Sequence, residues 1–203
     1  MDFDRKDAEV VSRETCYSGF FKMDRYTVRH RLFGGGMSGT FTRELLERGH
    51  ATAVLLYDPR QDAVIMIEQF RIGALAAGMN PWLFEVVAGV NEEGEKPGDV
   101  AVRESQEEAG IAIERLHFVS RYLVSPGGTS ETIYLYIGIA DSSGAGGVHG
   151  LSEENENIRV HVLPFSQVLS MADDGAICNA TALVAIYYLA SHREQFRSVE
   201  QPS

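Results

Sequence analysis

The sequence has little cysteine, few basic residues and no long apolar run, and each shortage excludes a class of protein. Cysteine occurs at Cys16 and Cys178, far apart and at no metal-ligand spacing. Neither a disulfide framework nor a cysteine metal site is expected; both read as free thiols of a reducing compartment. Lysine and arginine number 18 against 29 acidic residues, a formal net charge of -11. That balance argues against nucleic acid as the main partner, because neutralising phosphates takes clustered Lys and Arg. The longest apolar stretch, around Ala182 to Ala190, is far too short to cross a bilayer. Residues Met1 to Asp7 are charged and lack the apolar core of a signal peptide. A soluble cytoplasmic protein with no membrane partner is expected. Its acidity poses a puzzle if the substrate is an anion, and metal cations would resolve it.

What is there suits an ordinary globular chain. The 203 residues fit one medium domain, or a core domain with a small addition, and 44% hydrophobic with 23% charged content is usual for soluble proteins. Tyr26 to Phe33 alternates loosely and reads as a strand closed by the turn Gly34-Gly35-Gly36, followed by a short polar segment from Ser38 to Arg48. Ala51 to Tyr57 and Ala63 to Gln69 are apolar, strand-like runs joined by the hairpin-like Asp58-Pro59-Arg60-Gln61-Asp62. Trp82 to Val87, Leu116 to Val124 and Thr132 to Ala140 add strands. A helix is predicted from Pro97, suited to a first turn, to Ala109, with Gly110 as its cap. Two more are predicted near Pro164 to Ala172 and Asn179 to Phe196. Strands mixed with helices and hairpins imply an α/β fold, a mixed sheet flanked by helices. Residues 1–48 form a β-rich piece apart from a main domain at 49–203.

The chemistry concentrates between residues 89 and 111. On a helix Glu104 and Glu108 share a face with Glu107 close to it, and like charges so spaced destabilise it by roughly 0.2–0.5 kcal/mol per pair. Arg103 can pair with Glu107, whereas Glu104 and Glu108 have no basic partner at helical spacing. A hard divalent cation with oxygen ligands would remove the repulsion. A Glu-rich helix is usually only a solvated face. Here, however, Gly89, Glu95, Arg103, Glu104, Glu107, Glu108 and Gly110 stand at fixed spacing. With each type at ~1 in 15, that coincidence arises by chance in on the order of one chain in a million.

This pattern resembles the Nudix box of hydrolases acting on nucleoside diphosphates linked to another moiety. Ser105 departs from it, since an aliphatic residue usually stands there; weaker packing under the helix is the expected consequence. The resemblance implies a Nudix fold, a mixed sheet sandwiched between helices. It implies that Glu104, Glu108, Glu156 and the Ala88 carbonyl bind metal, magnesium with manganese as a substitute. Gly89, Glu95, Arg103, Glu107 and Gly110 would shape the loop and helix.

Beyond the box, Glu47 to Ala51, Glu68 to Gly73, Pro81 to Gly89, Ser125 to Glu131 and His149 to Val160 are similar to the bacterial ADP-ribose pyrophosphatases. By that resemblance Phe20, Phe21, Arg43, Glu44, Arg48, Arg71, Val90, Ser125 and Glu131 contact substrate. Read from residue type alone, Arg71 is as well a surface arginine in a weak ion pair, Ser125 to Glu131 a plain turn, and Phe20-Phe21 core. Asp141 to Gly150 is rich in Gly and Ser and precedes a second acidic cluster, Glu153, Glu154 and Glu156. The resemblance makes Glu154 the general base, with Glu153 able to take its place. It also implies a homodimer with shared sites, the N-terminal strands exchanging between subunits. The expected reaction is hydrolysis of ADP-ribose to AMP and ribose 5-phosphate. The alternatives are another nucleoside diphosphate sugar, such as GDP-mannose or ADP-glucose, and a non-catalytic ligand-binding module.

Overall fold

The computed structural model describes residues 3–151 and 156–197. It divides into two compact units, one of residues up to His50 with Leu123–Thr132, the other of Ala51–Tyr122 with residues from Ile133 onward. Glu153 and Glu154 lie outside the described residues.

The first unit is a three-stranded antiparallel sheet, β1 (Ala8–Ser18), β2 (Lys22–His30) and β3 (Phe41–Glu47), after a single 3-10 turn at Arg5–Asp7. Two register shifts break the β1–β2 ladder, between Val10 and Ser12 and between Thr15 and Tyr17. Every residue of β1 is exposed. Among the described residues this unit buries no apolar side chain; what it buries is Asp24, Glu131 and Thr132. Polar pairs hold it instead. Arg13 and Thr15 both bond Asp24, and Arg29 pairs with Glu9 across the strands. The polar segment expected at 38–48 is therefore largely strand β3, and the strand expected at 26–33 starts four residues earlier, at Lys22. The sequence signal was weak because charge, rather than apolar alternation, patterns these strands.

The second unit is built on an eight-stranded sheet. Its path runs β10 (Gly147–His149), β11 (Ile158–Pro164), β5 (Ala63–Phe70), β4 (Ala51–Asp58), β9 (Thr132–Ile139) and β8 (Arg115–Leu123). Helices α2 (Pro97–Ala109), α3 (Phe165–Asp173) and α4 (Ala180–Arg197) flank it, and a one-turn α1 (Ile72–Ala76) follows β5. β4 runs parallel to β9 and antiparallel to β5. Both faces of β4 are covered, which is why its sequence is a continuous apolar run. Ala53, Leu55 and Tyr57 join α3 and α4 in one core cluster, while Val54 and Leu56 join Ala101 and Ala109 of α2 in the other. Among the described residues no helix is long and apolar enough to cross a membrane.

One departure from simple pairing shapes the site. β4 and β5 pair only from Leu56 to Asp58 and then part. Beyond the fork, β5 takes β6 (Trp82–Glu85) and β4 takes β7 (Val87–Val90), both antiparallel. The run expected as one strand from Trp82 to Val87 is thus two strands, changing partner at Val86.

Candidate active site

β7 delivers its residues directly to α2, which opens with Pro97 at its first turn and ends at Gly110 in the left-handed region, φ 68°. Ser105 is fully buried on the inner face of that helix, and its hydroxyl donates to the Ile111 carbonyl at 2.8 Å. Besides whatever packing an aliphatic residue would add, the Ser105 hydroxyl ties down the chain just past the helix end, where carbonyls lack helical partners.

The loop ahead of α2 is fastened by Glu95. Its carboxylate accepts from the Glu92 N–H at 3.0 Å and from the Arg103 guanidinium at 3.4 Å. Arg103 also reaches Glu104 at 2.8 Å and Glu107 at 3.1 Å. Glu104 thus does have a basic partner, its chain neighbour, which helical spacing alone does not suggest. Burial pulls the Arg103 guanidinium down, but the charges of Glu104 and Glu95 more than reverse this and hold it above its ordinary value.

Glu108 is 3% exposed, and its carboxylate accepts the Ala88 N–H at 3.0 Å. Burial pushes it up to about 8; the Ala88 bond and the charge of Arg71 oppose this, and those of Glu104 and Glu156 add to it. Burial likewise raises Glu104, against the pull of Arg103 and with the push of Glu107 and Glu156. Three carboxylates and Arg71 therefore share one electrostatic field. Gly89 gives Glu104 its place: a Cβ at residue 89 would overlap the Glu104 carboxylate. Glu156 is pinned where the chain re-enters the described residues, its carboxylate accepting the Leu151 N–H and its own N–H donating to the Leu151 carbonyl, both at 3.2 Å.

Among the described residues no three His, Cys, Asp or Glu side chains stand together at ligating distance. In this arrangement Glu104 bonds Arg103, Glu108 the Ala88 N–H and Glu156 the Leu151 N–H. The donor set fits a hard divalent cation all the same. It is all oxygen, and a buried carboxylate pushed that far up gains most when a cation replaces its proton.

Arg71 donates to Glu85 at 2.8 Å, and Gln69 donates to the same oxygen at 3.1 Å. Glu85 was missed by sequence reasoning. The signal was there, a lone acid inside the apolar run from Trp82 to Val87. Val90, at the outer end of β7, is 53% exposed.

The other candidates lie in the first unit. Arg48 stands 3.5 Å from Glu131, which is nearly buried, and its guanidinium lies over the Phe21 ring. Phe20 is 95% exposed and meets Phe21 edge-on, so the pair is no core. Arg43 stacks on Phe41, and Glu44 pairs with Arg25 at 3.4 Å. The Ser125 carbonyl accepts the N–H groups of Gly128 and Thr129, closing a tight turn. Ser130 and Thr129 then hook that turn onto Glu47 and the Leu46 carbonyl of β3. Glu47, which also receives Tyr26 and Arg13, is a second anchor the sequence reading overlooked.

Residues 47–183 match the family model described as NUDIX domain. The chain belongs to the NUDIX family. The NUDIX chain is 46% identical over 198 residues to the ADP-ribose pyrophosphatase of Escherichia coli (strain K12), covering 98% of this chain and 95% of that one. It is 46% identical to the Haemophilus influenzae protein of the same name, covering 96% and 91%. Identity to the GDP-mannose pyrophosphatase of Yersinia pestis is 30% over 195 residues, covering 91% and 92%. Among solved structures, an ADP compounds hydrolase shares the fold with TM-score 0.72 at 17% identity, covering 94% of this chain and 97% of that one. In this NUDIX chain the signature positions are thus the glycine-cleared, loop-fastened acidic helix described above.

Proposed function

We propose that this NUDIX protein hydrolyses the pyrophosphate bond of ADP-ribose, releasing AMP and ribose 5-phosphate, with magnesium as its cofactor and manganese as a substitute. The observation that carries the reading is the buried Glu108 carboxylate, bonded to the Ala88 N–H of strand β7 and in one field with Glu104, Glu156 and Arg71. The names of the relatives at 46% identity favour ADP-ribose over GDP-mannose, whose named relatives stand at 30%.

Glu104, Glu108, Glu156 and the Ala88 carbonyl would hold the cations. When bound, such ions neutralise the diphosphate and lower the pKa of attacking water. The chain supplies the rest. Glu154 accepts the proton of the attacking water, and Arg71, held in place by Glu85, meets a phosphate through its planar fork. Val90 borders the substrate. Glu95, Arg103 and Glu107 keep the loop and helix in register, Gly89 clears the place of the Glu104 carboxylate, and Gly110 ends the helix in the left-handed region.

In the first unit, Arg43, Glu44, Arg48, Ser125 and Glu131 bind the nucleotide sugar, and Phe20 and Phe21 stack on its base. Residues 1–48 also serve dimerisation. A sheet with an all-exposed β1 and, among the described residues, no buried apolar side chain needs a cover to persist, and a second copy of the chain provides it. The protein acts in the cytoplasm, on a small molecule rather than on nucleic acid or membrane.

The test compares products and specificity constants for ADP-ribose, GDP-mannose and ADP-glucose with magnesium. ADP-ribose should be preferred, giving AMP and ribose 5-phosphate. A preference for GDP-mannose, or inertness toward all three, would overturn the reading. Glu154→Gln should cut kcat by about 100-fold while leaving cation affinity intact, whereas Glu104→Gln should lower both together.

A further inference from the structure

The glycine-rich segment between β9 and β11 returns to the sheet as β10, pairing Gly147 with Val160, Val148 with Arg159 and His149 with Ile158. The His149 ring lies on the final turn of α2. A Cβ at Gly110 would come within 2.8 Å of its Cε1 and 3.4 Å of its Nδ1. The glycine that ends the helix therefore also clears the space the ring occupies. The ring's orientation is set from its other side, where Nε2 stands 2.8 Å from the Gly146 carbonyl. Since a carbonyl only accepts, Nε2 carries a proton.

The next residue lies against a proposed cation ligand. Gly150 has φ 99°, and a Cβ there would lie 2.7 Å from the Glu156 Cβ and 3.2 Å from its carbonyl carbon. Leu151 closes the contact by exchanging two bonds with Glu156, one of them to the carboxylate. A continuous path of contacts thus leads from the end of α2 through His149, Gly150 and Leu151 to Glu156. The same helix bears Glu104 and Glu108. A carboxylate on a separate segment meets those two only if that segment is referenced to the helix; β11 packs on the helix from the C-terminal side of Glu156, through Ile158 and Val160 in the cluster of Ala101 and Ala109, and His149 is the contact on its N-terminal side.

We infer that His149 is a positioning residue, wedged against the C-terminal turn of α2 to set Glu156 relative to Glu104 and Glu108. The inference rests on the proposed role of Glu156, so its test uses the metal alone as well as turnover. Manganese affinity of the apoprotein is read from the loss of the free-ion electron paramagnetic resonance signal. The proteins are the wild type, His149→Ala, His149→Asn, Glu156→Gln, Glu104→Gln and the double variants of His149→Ala with each glutamine change.

His149→Ala should weaken manganese binding about tenfold, as loss of a ligand's supporting group does. It should cost nothing further on top of Glu156→Gln, yet remain additive with Glu104→Gln. His149→Asn, whose amide still donates to the Gly146 carbonyl, should recover part of the loss. In turnover the ADP-ribose kcat should fall while KM holds. Wild-type affinity in His149→Ala, or full additivity with Glu156→Gln, would overturn the inference, as would losses that track only a fall in Tm. If His149→Ala does not fold, Gly150→Ala displaces Glu156 from the same contact and is judged by the same cycle. A wild type that binds manganese but ignores ADP-ribose would sink the functional reading, and the manganese cycle would still decide the role of His149.

Discussion

Single residues decide the site through clearance and charge. Gly89→Ala would bring a Cβ into the place of the Glu104 carboxylate, which is the free end of a side chain and can swing aside. The fold should survive and the chemistry should not. Steady-state kinetics should show kcat/KM for ADP-ribose down roughly 100-fold, the scale of an ångström-sized misplacement, with Tm little changed; retained activity would show that Glu104 needs no such clearance. Asp58 makes a different point. Burial would raise its carboxyl, but the N–H and hydroxyl of Ser142 and the N–H groups of Gln61 and Arg60 outweigh it and hold the group below its ordinary 3.8. A depressed carboxyl gives stability that is complete above its unfolded value and lost as pH drops through the folded one. Asp58→Asn, which must turn an amide toward the N–H of Ser142 or toward those of Arg60 and Gln61, should cost about 2 kcal/mol near neutrality, a Tm fall of roughly 4–8 °C. Melting curves should show that gap narrowing as pH falls below 3.8. A gap unchanged in acid would refute the charged network. Among residue-scale features, the acidic residues of the helix were legible as a set because their spacing is rigid. Glu85 and Glu47 were not, since their importance lies in partners such as Arg71 and Ser130 brought from elsewhere in the chain.

At the scale of elements, local patterns told most where apolar and polar residues differ sharply. α2 was read to its ends because Pro97 and Gly110 bracket it, and α4 because Asn179 accepts the Ala182 N–H at 3.0 Å as an N-terminal cap. β1 carried no such signal, being exposed throughout. β6 and β7 read as one strand because a change of hydrogen-bonding partner at Val86 leaves no mark on hydrophobicity. Ser105 shows an element end secured from inside. Ser105→Ala leaves the Ile111 carbonyl without that hydroxyl and should destabilise by about 1–3 kcal/mol, lowering Tm by roughly 2–12 °C. Calorimetry would check it, and an unchanged Tm would mean the bond contributes nothing net.

At the scale of the whole molecule, the contrast between the two units is the main fact. One has two apolar clusters on either side of a sheet, and the other has none among its described residues. Composition averages over both, so the sequence totals hid the difference. Light scattering should return about twice the chain mass of 22.4 kDa; a single-chain mass at all concentrations would require another cover for β1.

The fork between β4 and β5 has a consequence for endurance. With β6 and β7 filling the rift, the acidic centre is rooted in the interior of the sheet instead of hanging from its rim. Sheets loosen from their margins inward, so gradual warming should leave that centre intact until the whole unit melts. Amide hydrogen exchange in β7 should then be as slow as in β4, and much slower than in β10 at the margin. Early exchange in β7 would mean that the rift opens by itself.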